Sequence, residues 1–127
     1  MVLLDSQALL WLLDDSPRLG PRARQAITAA QGVYVSAATV WELTIKTMLG
    51  KLTVPTDLSG KLTGQGLELL SVTAGHAEAI RDFPELARHD PFDRLIVAQA
   101  ACLGLQLLTA DRVLLDLGRD FILDASR

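Results

Sequence analysis

The chain has 127 residues, of which 50% are hydrophobic and 21% are charged. That apolar content excludes an intrinsically disordered protein, and the length suits one core of ordinary size. The formal net charge of −3 excludes a nucleic-acid-binding protein that relies on a basic surface alone. We therefore expect a single domain over residues 1–127, in which any contact with nucleic acid is local or bridged by cations.

The N-terminus and the single cysteine bear on location. Residues 1–15 are hydrophobic but acidic, and Asp5 interrupts the apolar run. They lack the positively charged start and the cleavage site of a signal peptide, and they do not read as a membrane span. Cys102 stands alone, so no intrachain disulfide is expected, and its apolar neighbours predict a buried small residue. A cytoplasmic location is the default expectation.

Short apolar segments alternate with helical ones along the chain. Predicted strands cover residues 2–4, 33–35, 67–72, 105–108 and 121–123. Predicted helices cover residues 6–13, 21–30, 37–49, 73–82, 91–102 and 113–117, with a weaker one within 56–66. This alternation predicts an α/β fold with a short, mostly parallel central sheet flanked by helices, which is a three-layer sandwich.

Two of the predicted strands end in the same way. The first runs into Asp5, and the fourth runs into Asp111 through Thr109. In an open parallel sheet, ligands bind outside the carboxyl ends of the strands. The two acids are therefore expected to face one crevice.

Two further acids lie on predicted helices, beside apolar side chains. At about 100° per residue, Glu42 falls at the edge of an apolar arc that includes Trp41, Met48 and Leu49. Asp93 shares a face with residues of the apolar stripe of its own helix. A purely solvated carboxylate would lie on the opposite face, so both acids are expected to be partly buried.

Buried carboxylates are costly unless they are neutralised. A shared divalent cation would remove that cost for all four acids together, and oxygen ligands suit Mg²⁺ or Mn²⁺. Such an ion turns water into a nucleophile near neutral pH and stabilises charge on a phosphoryl group. This chemistry would cleave a phosphodiester without a catalytic histidine or cysteine.

Each acid also has a purely structural interpretation. Asp5 and Asp111 could cap the helices that follow them, and Asp90 before Pro91 is better explained as an N-cap than as a metal ligand. Asp93 could belong to a capping box or gain from the helix dipole. Glu42 and Lys46 are four residues apart and could form a surface ion pair.

The remaining chemistry-bearing residues carry less information. His76 and His89 are too isolated to predict a zinc site, and His76 is expected to be a partly exposed polar residue. Trp11 and Trp41 are expected in the core or at an interface. Asp116 remains an outside candidate because it follows Asp111 closely. Periodicity alone leaves the metal cluster and the structural interpretations both open.

Four motifs together resemble the PIN-domain toxins of the VapC family. They are LLDSQALLWLL near the start, VSAATVWELTIKTMLGKLTVP, then HDPFDRLIVAQA, and LLTAD near the end. They occur in the order in which the family has them, and the resemblance extends from residue 1 to about residue 123. LLTAD alone would be a weak signal, but the set of four is specific.

The resemblance implies a PIN fold and a Mg²⁺- or Mn²⁺-dependent endoribonuclease that is the toxin of a toxin–antitoxin pair. It also implies a cognate VapB-type antitoxin and, with the apolar composition, a homodimer. Asp5, Glu42, Asp93 and Asp111 take the places of the family's acidic residues. The implied accessory residues are Ser6, Lys46, Asp90, Arg94, Thr109 and Asp116, with Lys46 and Arg94 touching RNA phosphates or anchoring the acids.

The sequence departs from the subgroup at two positions. Ser6 and Gln7 stand where the subgroup usually has Thr and His. Serine keeps the hydroxyl group, whereas Gln7 removes a titratable side chain. Because none of the four acids is missing, we expect an active enzyme.

Three other functions are known for α/β domains or for this fold. A phospho-accepting receiver domain needs paired acids after the first strand and a lysine after the last strand, and no lysine follows Lys61. A haloacid-type phosphatase needs Asp-x-Asp where this chain has Asp5, Ser6 and Gln7. A PIN fold that only binds a partner protein is the alternative that stays open.

Overall fold

The computed structural model describes residues 1–127. Its strands are β1 (Val2–Leu4), β2 (Val33–Ser36), β3 (Glu68–Leu70), β4 (Gln106–Thr109) and β5 (Ile122–Asp124). Its helices are α1 (Ser6–Leu13), α2 (Pro21–Ala29), α3 (Ala37–Met48), α4 (Leu58–Gly64), α5 (Ala74–Ala79), α6 (Pro91–Leu103) and α7 (Arg112–Leu115). Two short 3-10 turns, Ile80–Asp82 and Pro84–Leu86, join α5 to α6.

The strands form one five-stranded sheet in the order β3-β2-β1-β4-β5, and every neighbouring pair is parallel. The predicted α/β fold is thus confirmed. The chain builds the sheet outward from β1 in one direction and then continues on the other side of β1 with β4. The carboxyl ends of β1 and β4 therefore mark the point at which the topology switches, where crevices form in such sheets.

Apolar side chains cover both faces of the sheet. Alternate residues of β1 point to opposite faces, with Leu4 in one buried cluster and Leu3 in the other. The first cluster includes Leu9 of α1 and Leu62 of α4, and the second includes Val97 of α6. Because both faces of β1 are buried, this central strand is a continuous apolar run with no alternation of polar residues.

Several element ends differ from the predictions. The helix predicted over residues 73–82 ends at Ala79 and continues as a 3-10 turn. Pro84 restricts the backbone of Phe83, which has φ −124° and ψ 63°. The strand predicted over residues 67–72 is confined to Glu68–Leu70, and the weaker helix predicted within 56–66 is α4.

The apolar arc of α3 faces outward, contrary to expectation. Trp41, Met48 and Leu49 are 61%, 82% and 63% exposed. The helix instead buries Thr39, Glu42 and Leu43 among other residues. The inward face is mixed: Leu43 packs in the hydrophobic core, while Glu42 is buried beside it on the same side of the helix. Trp41 is therefore not a core residue.

Two other burial predictions were wrong. Cys102 is exposed, because α6 turns Ala100 toward the core and residue 102 lies about 200° further round the helix. His76 is buried, and it forms a capping box with Thr73 at the start of α5. Its Nδ1 atom also lies 3.3 Å from the side-chain amide of Gln99, so this histidine ties α5 to α6.

No helix combines the length and the apolar character that a membrane crossing requires.

Candidate metal centre

Asp5 lies at the carboxyl end of β1, and each of its two carboxylate oxygens accepts a hydrogen bond. Oδ1 accepts a hydrogen bond from the Ala8 N–H at 2.7 Å and so caps α1. Oδ2 accepts one from the Thr109 hydroxyl at 2.5 Å. The residue is only 4% exposed. Asp5 is therefore an N-cap, as one interpretation held, and it is also a buried acid at the topological switch point.

Asp111 follows β4 and is joined to Asp5 through one threonine. The Thr109 hydroxyl that donates to Asp5 accepts a hydrogen bond from the Asp111 N–H at 3.0 Å. Asp111 Oδ1 accepts from the Val113 N–H at 2.8 Å and caps α7, which leaves Oδ2 directed elsewhere. Thr109 is fully buried, and it fixes the relative positions of the two strand-end acids.

Asp93 lies in the first turn of α6, and Asp90 provides the cap of that helix. Asp90 Oδ1 accepts hydrogen bonds from the N–H groups of Phe92 and Asp93, as the N-cap interpretation predicted. The Asp93 side chain is thereby free of capping and is only 17% exposed. Its Oδ2 atom and the Oδ2 atom of Asp111 both lie 3.1 Å from the same nitrogen of His89.

Glu42 comes from the inward face of α3 and is 8% exposed. Its Oε2 accepts a hydrogen bond from the Lys46 ammonium at 2.8 Å. The pair predicted from the spacing is thus present, but its acid is buried and is not part of an ordinary surface pair. The Lys46 pKa is raised, first by the hydrogen bond to Glu42 and also by the charges of Asp90 and Asp93.

His89 is the residue that sequence reasoning did not place in the site. Its Nε2 atom lies 3.1 Å from Asp93 Oδ2 and 3.1 Å from Asp111 Oδ2. The ligand atoms of these three residues all lie within 4.8 Å of one another. One signal in the sequence could have indicated His89, because it stands four residues before Asp93 in the HDPFDR motif. The segment between α5 and α6 has no regular pattern, however, so the direction of the His89 side chain could not be predicted.

The acids of the site influence one another's protonation. Burial raises the pKa of Asp93 to about 7, helped by the charges of Asp90, Asp111, Asp5 and Glu42 in that order. Burial also raises the pKa of Asp5 to about 6, against the hydrogen bonds from Thr109 and Ala8. Asp93 thus lies close enough to Asp111, Asp5 and Glu42 for their negative charges to raise its pKa, and a bound cation would offset that repulsion.

The accessory residues have varied positions. Arg94 donates from Nη1 to the Ala87 carbonyl at 3.0 Å, and its buried Nε has no partner. Ser6 is half-buried in the first turn of α1, next to Asp5. Asp116 is exposed at the end of α7 and has no hydrogen bond or ion pair with the four acids.

The donor set fits a divalent cation. Asp93 and Asp111 share a contact with His89, Thr109 joins Asp5 to Asp111, and the charges of Asp5 and Glu42 reach Asp93. Carboxylate oxygens are the ligands that Mg²⁺ and Mn²⁺ prefer. Burial first, and neighbouring acids second, raise the pKa of Asp93, and burial is also the main cause of the raised pKa of Asp5; a bound cation would offset this cost of ionisation. The fold and the site together define a parallel α/β domain with an acidic centre suited to binding a divalent metal.

The comparisons with known proteins give the family. The PIN domain family model matches residues 2–120, so the chain belongs to the PIN domain family. PIN domains are typically nucleases and generally use a divalent metal, which supports a hydrolase in general terms. A search of curated proteins found no significant match.

Solved structures similar to this chain include toxin–antitoxin complexes. The DNA-bound VapBC of Salmonella typhimurium matches with a TM-score of 0.69 at 21% identity, covering 97% of this chain and 96% of that one. A toxin–antitoxin complex from Klebsiella pneumoniae matches with a TM-score of 0.67 at 18% identity, covering 98% of each chain. VapBC2 of Rickettsia felis, bound to a promoter DNA fragment, matches with a TM-score of 0.66 at 15% identity, covering 97% and 96%. These likenesses establish the fold.

Proposed function

We propose that residues 1–127 act as a single-domain, metal-dependent endoribonuclease, the toxin of a VapBC-type pair. The proposal is supported mainly by the acids near the switch point of the sheet: Thr109 joins Asp5 to Asp111, and His89 contacts both Asp93 and Asp111. The charge of Glu42 also raises the pKa of Asp93. Family membership and the four sequence motifs support the same activity. A cytoplasmic location is part of the proposal.

In this proposal Asp5, Glu42, Asp93 and Asp111 hold Mg²⁺ or Mn²⁺. When bound, the ion supplies an activated water and stabilises the charge that develops on the RNA phosphodiester. Thr109 holds Asp5 and Asp111 at a fixed separation through its hydroxyl group. Lys46 orients Glu42, and Asp90 keeps the start of α6 in place so that Asp93 stays free for the site.

Basic groups near this edge of the sheet support a phosphate-bearing substrate. Arg22, Arg112 and Arg127 line a cavity of about 510 Å³ together with Asp124, the last residue of β5. Arg112 is also the residue directly after Asp111. Arginine binds phosphate oxygens well, so RNA backbone contacts are expected here despite the negative net charge.

The nuclease proposal is tested with the purified chain and structured RNAs, with Mg²⁺, with Mn²⁺ and with chelator. We expect cleavage that requires the metal and falls on the order of 100-fold or more in Asp93→Asn. The matched control is Asp120→Asn, an exposed acid outside the site, which should cleave as the unmodified chain does. No cleavage of any RNA with either metal would favour the alternative of a PIN fold that only binds a partner.

The antitoxin proposal has a candidate docking surface. A groove of about 700 Å³ lies between α1, the chain that follows it, and α4. Its apolar lining includes Leu10, Trp11, Leu13, Val54, Leu58 and Leu62. Similar structures were solved as toxin–antitoxin complexes, so we propose that an apolar segment of the antitoxin occupies this groove.

We also propose a homodimer, supported by the exposed apolar residues Trp41 and Met48 of α3 and Leu49 directly after it. One assembly experiment tests both proposals by light scattering on the free chain and on the chain co-expressed with a candidate antitoxin. The free chain should have twice the monomer mass.

Val54→Arg should abolish capture of the antitoxin, whereas Leu103→Arg, at an exposed apolar residue outside the groove, should not. A monomer mass would contradict the dimer, and equal capture by both variants would contradict the groove.

A further inference from the structure

His89 is held in place by its surroundings and is not a freely moving surface side chain. Its backbone N–H donates to the Leu86 carbonyl at 2.9 Å, and Arg94 donates to the Ala87 carbonyl two residues earlier. The side chain is only 22% exposed. The ring therefore reaches the acids because the connection between the 3-10 turn and α6 directs it there.

One ring nitrogen faces two carboxylates that come from different elements. Nε2 carries at most one hydrogen, so it can serve as a donor to only one of Asp93 Oδ2 and Asp111 Oδ2 at full strength. The other oxygen then faces the nitrogen without a hydrogen between them. A cation shared by all three atoms would satisfy both contacts at once.

The distances suit such a shared ion. With metal–ligand bonds of about 2.1 Å, two ligands at a right angle around an octahedral ion lie about 3.0 Å apart. The two observed separations from Nε2 are both 3.1 Å. Nitrogen and carboxylate atoms are thus already spaced as neighbouring ligands of one ion.

We propose that His89 Nε2 is a ligand of the metal in this centre, beside Asp93 and Asp111, and that it makes the centre prefer Mn²⁺ to Mg²⁺. The inference rests on the proposed metal-dependent function and specifies its cofactor. Mg²⁺ selects oxygen ligands, whereas imidazole nitrogen suits transition metals. Binding through Nε2 places the ring hydrogen on Nδ1.

Pulsed electron paramagnetic resonance of the Mn²⁺-loaded protein tests this ligand without reference to activity. We expect modulation from a directly coordinated ¹⁴N nucleus, and its replacement by a ¹⁵N pattern when the protein carries ¹⁵N-histidine. The chain has two histidines, and His76 is buried between α5 and α6 with Nδ1 engaged, so such a signal identifies His89.

The variant His89→Asn keeps a polar side chain but removes the nitrogen at the Nε2 position, so it should lose the ¹⁴N modulation. Calorimetric titration should show Mn²⁺ binding weakened about 10-fold or more, with a smaller change for Mg²⁺, so that the preference for Mn²⁺ falls. Circular dichroism checks that the variant is folded, and the isotope experiment needs no variant at all.

The outcomes separate this inference from the function on which it rests. Bound Mn²⁺ without histidine ¹⁴N modulation would overturn the nitrogen ligand and leave the carboxylate centre intact. An unchanged modulation in His89→Asn would also overturn it. No Mn²⁺ binding to the unmodified chain would instead remove the proposed metal centre itself.

Discussion

Asp93→Asn is expected to raise the free energy of unfolding of the metal-free protein near pH 7.5, while it removes the nuclease activity. Burial and four neighbouring acids raise the pKa of Asp93 to about 7, so its ionised form is disfavoured in the folded state. The isosteric amide removes that charge and keeps the shape. We expect a gain on the order of 1–3 kcal/mol, reduced somewhat by the lost interaction with the dipole of α6.

The measurement is urea unfolding in the presence of chelator, followed by the same experiment with Mn²⁺. The control Asp120→Asn should change the free energy of unfolding little, because that acid is exposed and outside the site. With Mn²⁺ the unmodified chain should become the more stable of the two proteins, because Asp93→Asn lacks one metal ligand. A metal-free Asp93→Asn protein less stable than the unmodified chain would contradict the electrostatic account.

The second large effect is a loss of stability of the metal-free protein as the pH rises. The folded-state pKa values of Asp5 and Asp93, about 6 and about 7, lie above the usual value of 3.8. Between about pH 4 and pH 7 the folded protein therefore binds more protons than the unfolded chain, and linkage makes the free energy of unfolding fall as the pH rises. For both carboxyl groups together we expect a loss on the order of 2–4 kcal/mol.

This loss is measured by urea unfolding at pH 5 and at pH 7.5, with chelator and with Mn²⁺. The metal should stabilise the protein more at pH 7.5 than at pH 5, because it competes with protons for the same oxygens. The pKa of Asp124 is lowered, mainly by hydrogen bonds from Ser126, so its ionised form stabilises the folded protein. That stabilisation is lost only when the pH falls below about 4. A free energy of unfolding that rises between pH 5 and pH 7.5 without metal would contradict the arrangement of charges.

Residues at strand ends were the most predictable part of the site. An apolar run that stops abruptly at an acid indicates both a buried parallel strand and a carboxylate at its end, and this placed Asp5 and Asp111 at one edge. Helical spacing favoured Asp93 as the site acid and Asp90 as an N-cap, and the family motifs agreed with that choice. The structure adds that Asp5 and Asp111 are helix caps as well as site residues, so the two interpretations were compatible.

The less predictable features depend on contacts distant in sequence. α3 packs through Leu43 and Glu42, so the apolar direction of Trp41 and Met48 misled the burial prediction. His89 reaches the acids through a connection with no repeating pattern, held by Arg94 and by the preceding 3-10 turn. Neither placement follows from local propensity, because both require the assembled sheet edge.

The most direct test of the metal centre is calorimetric titration of Mn²⁺ into the unmodified chain, Asp93→Asn and Asp120→Asn at pH 7.5. Convergence of the acids predicts binding to the unmodified chain and to Asp120→Asn, and at least a 10-fold weaker affinity in Asp93→Asn. Equal affinity in all three proteins, or no binding to any of them, would contradict a metal centre formed by these carboxylates.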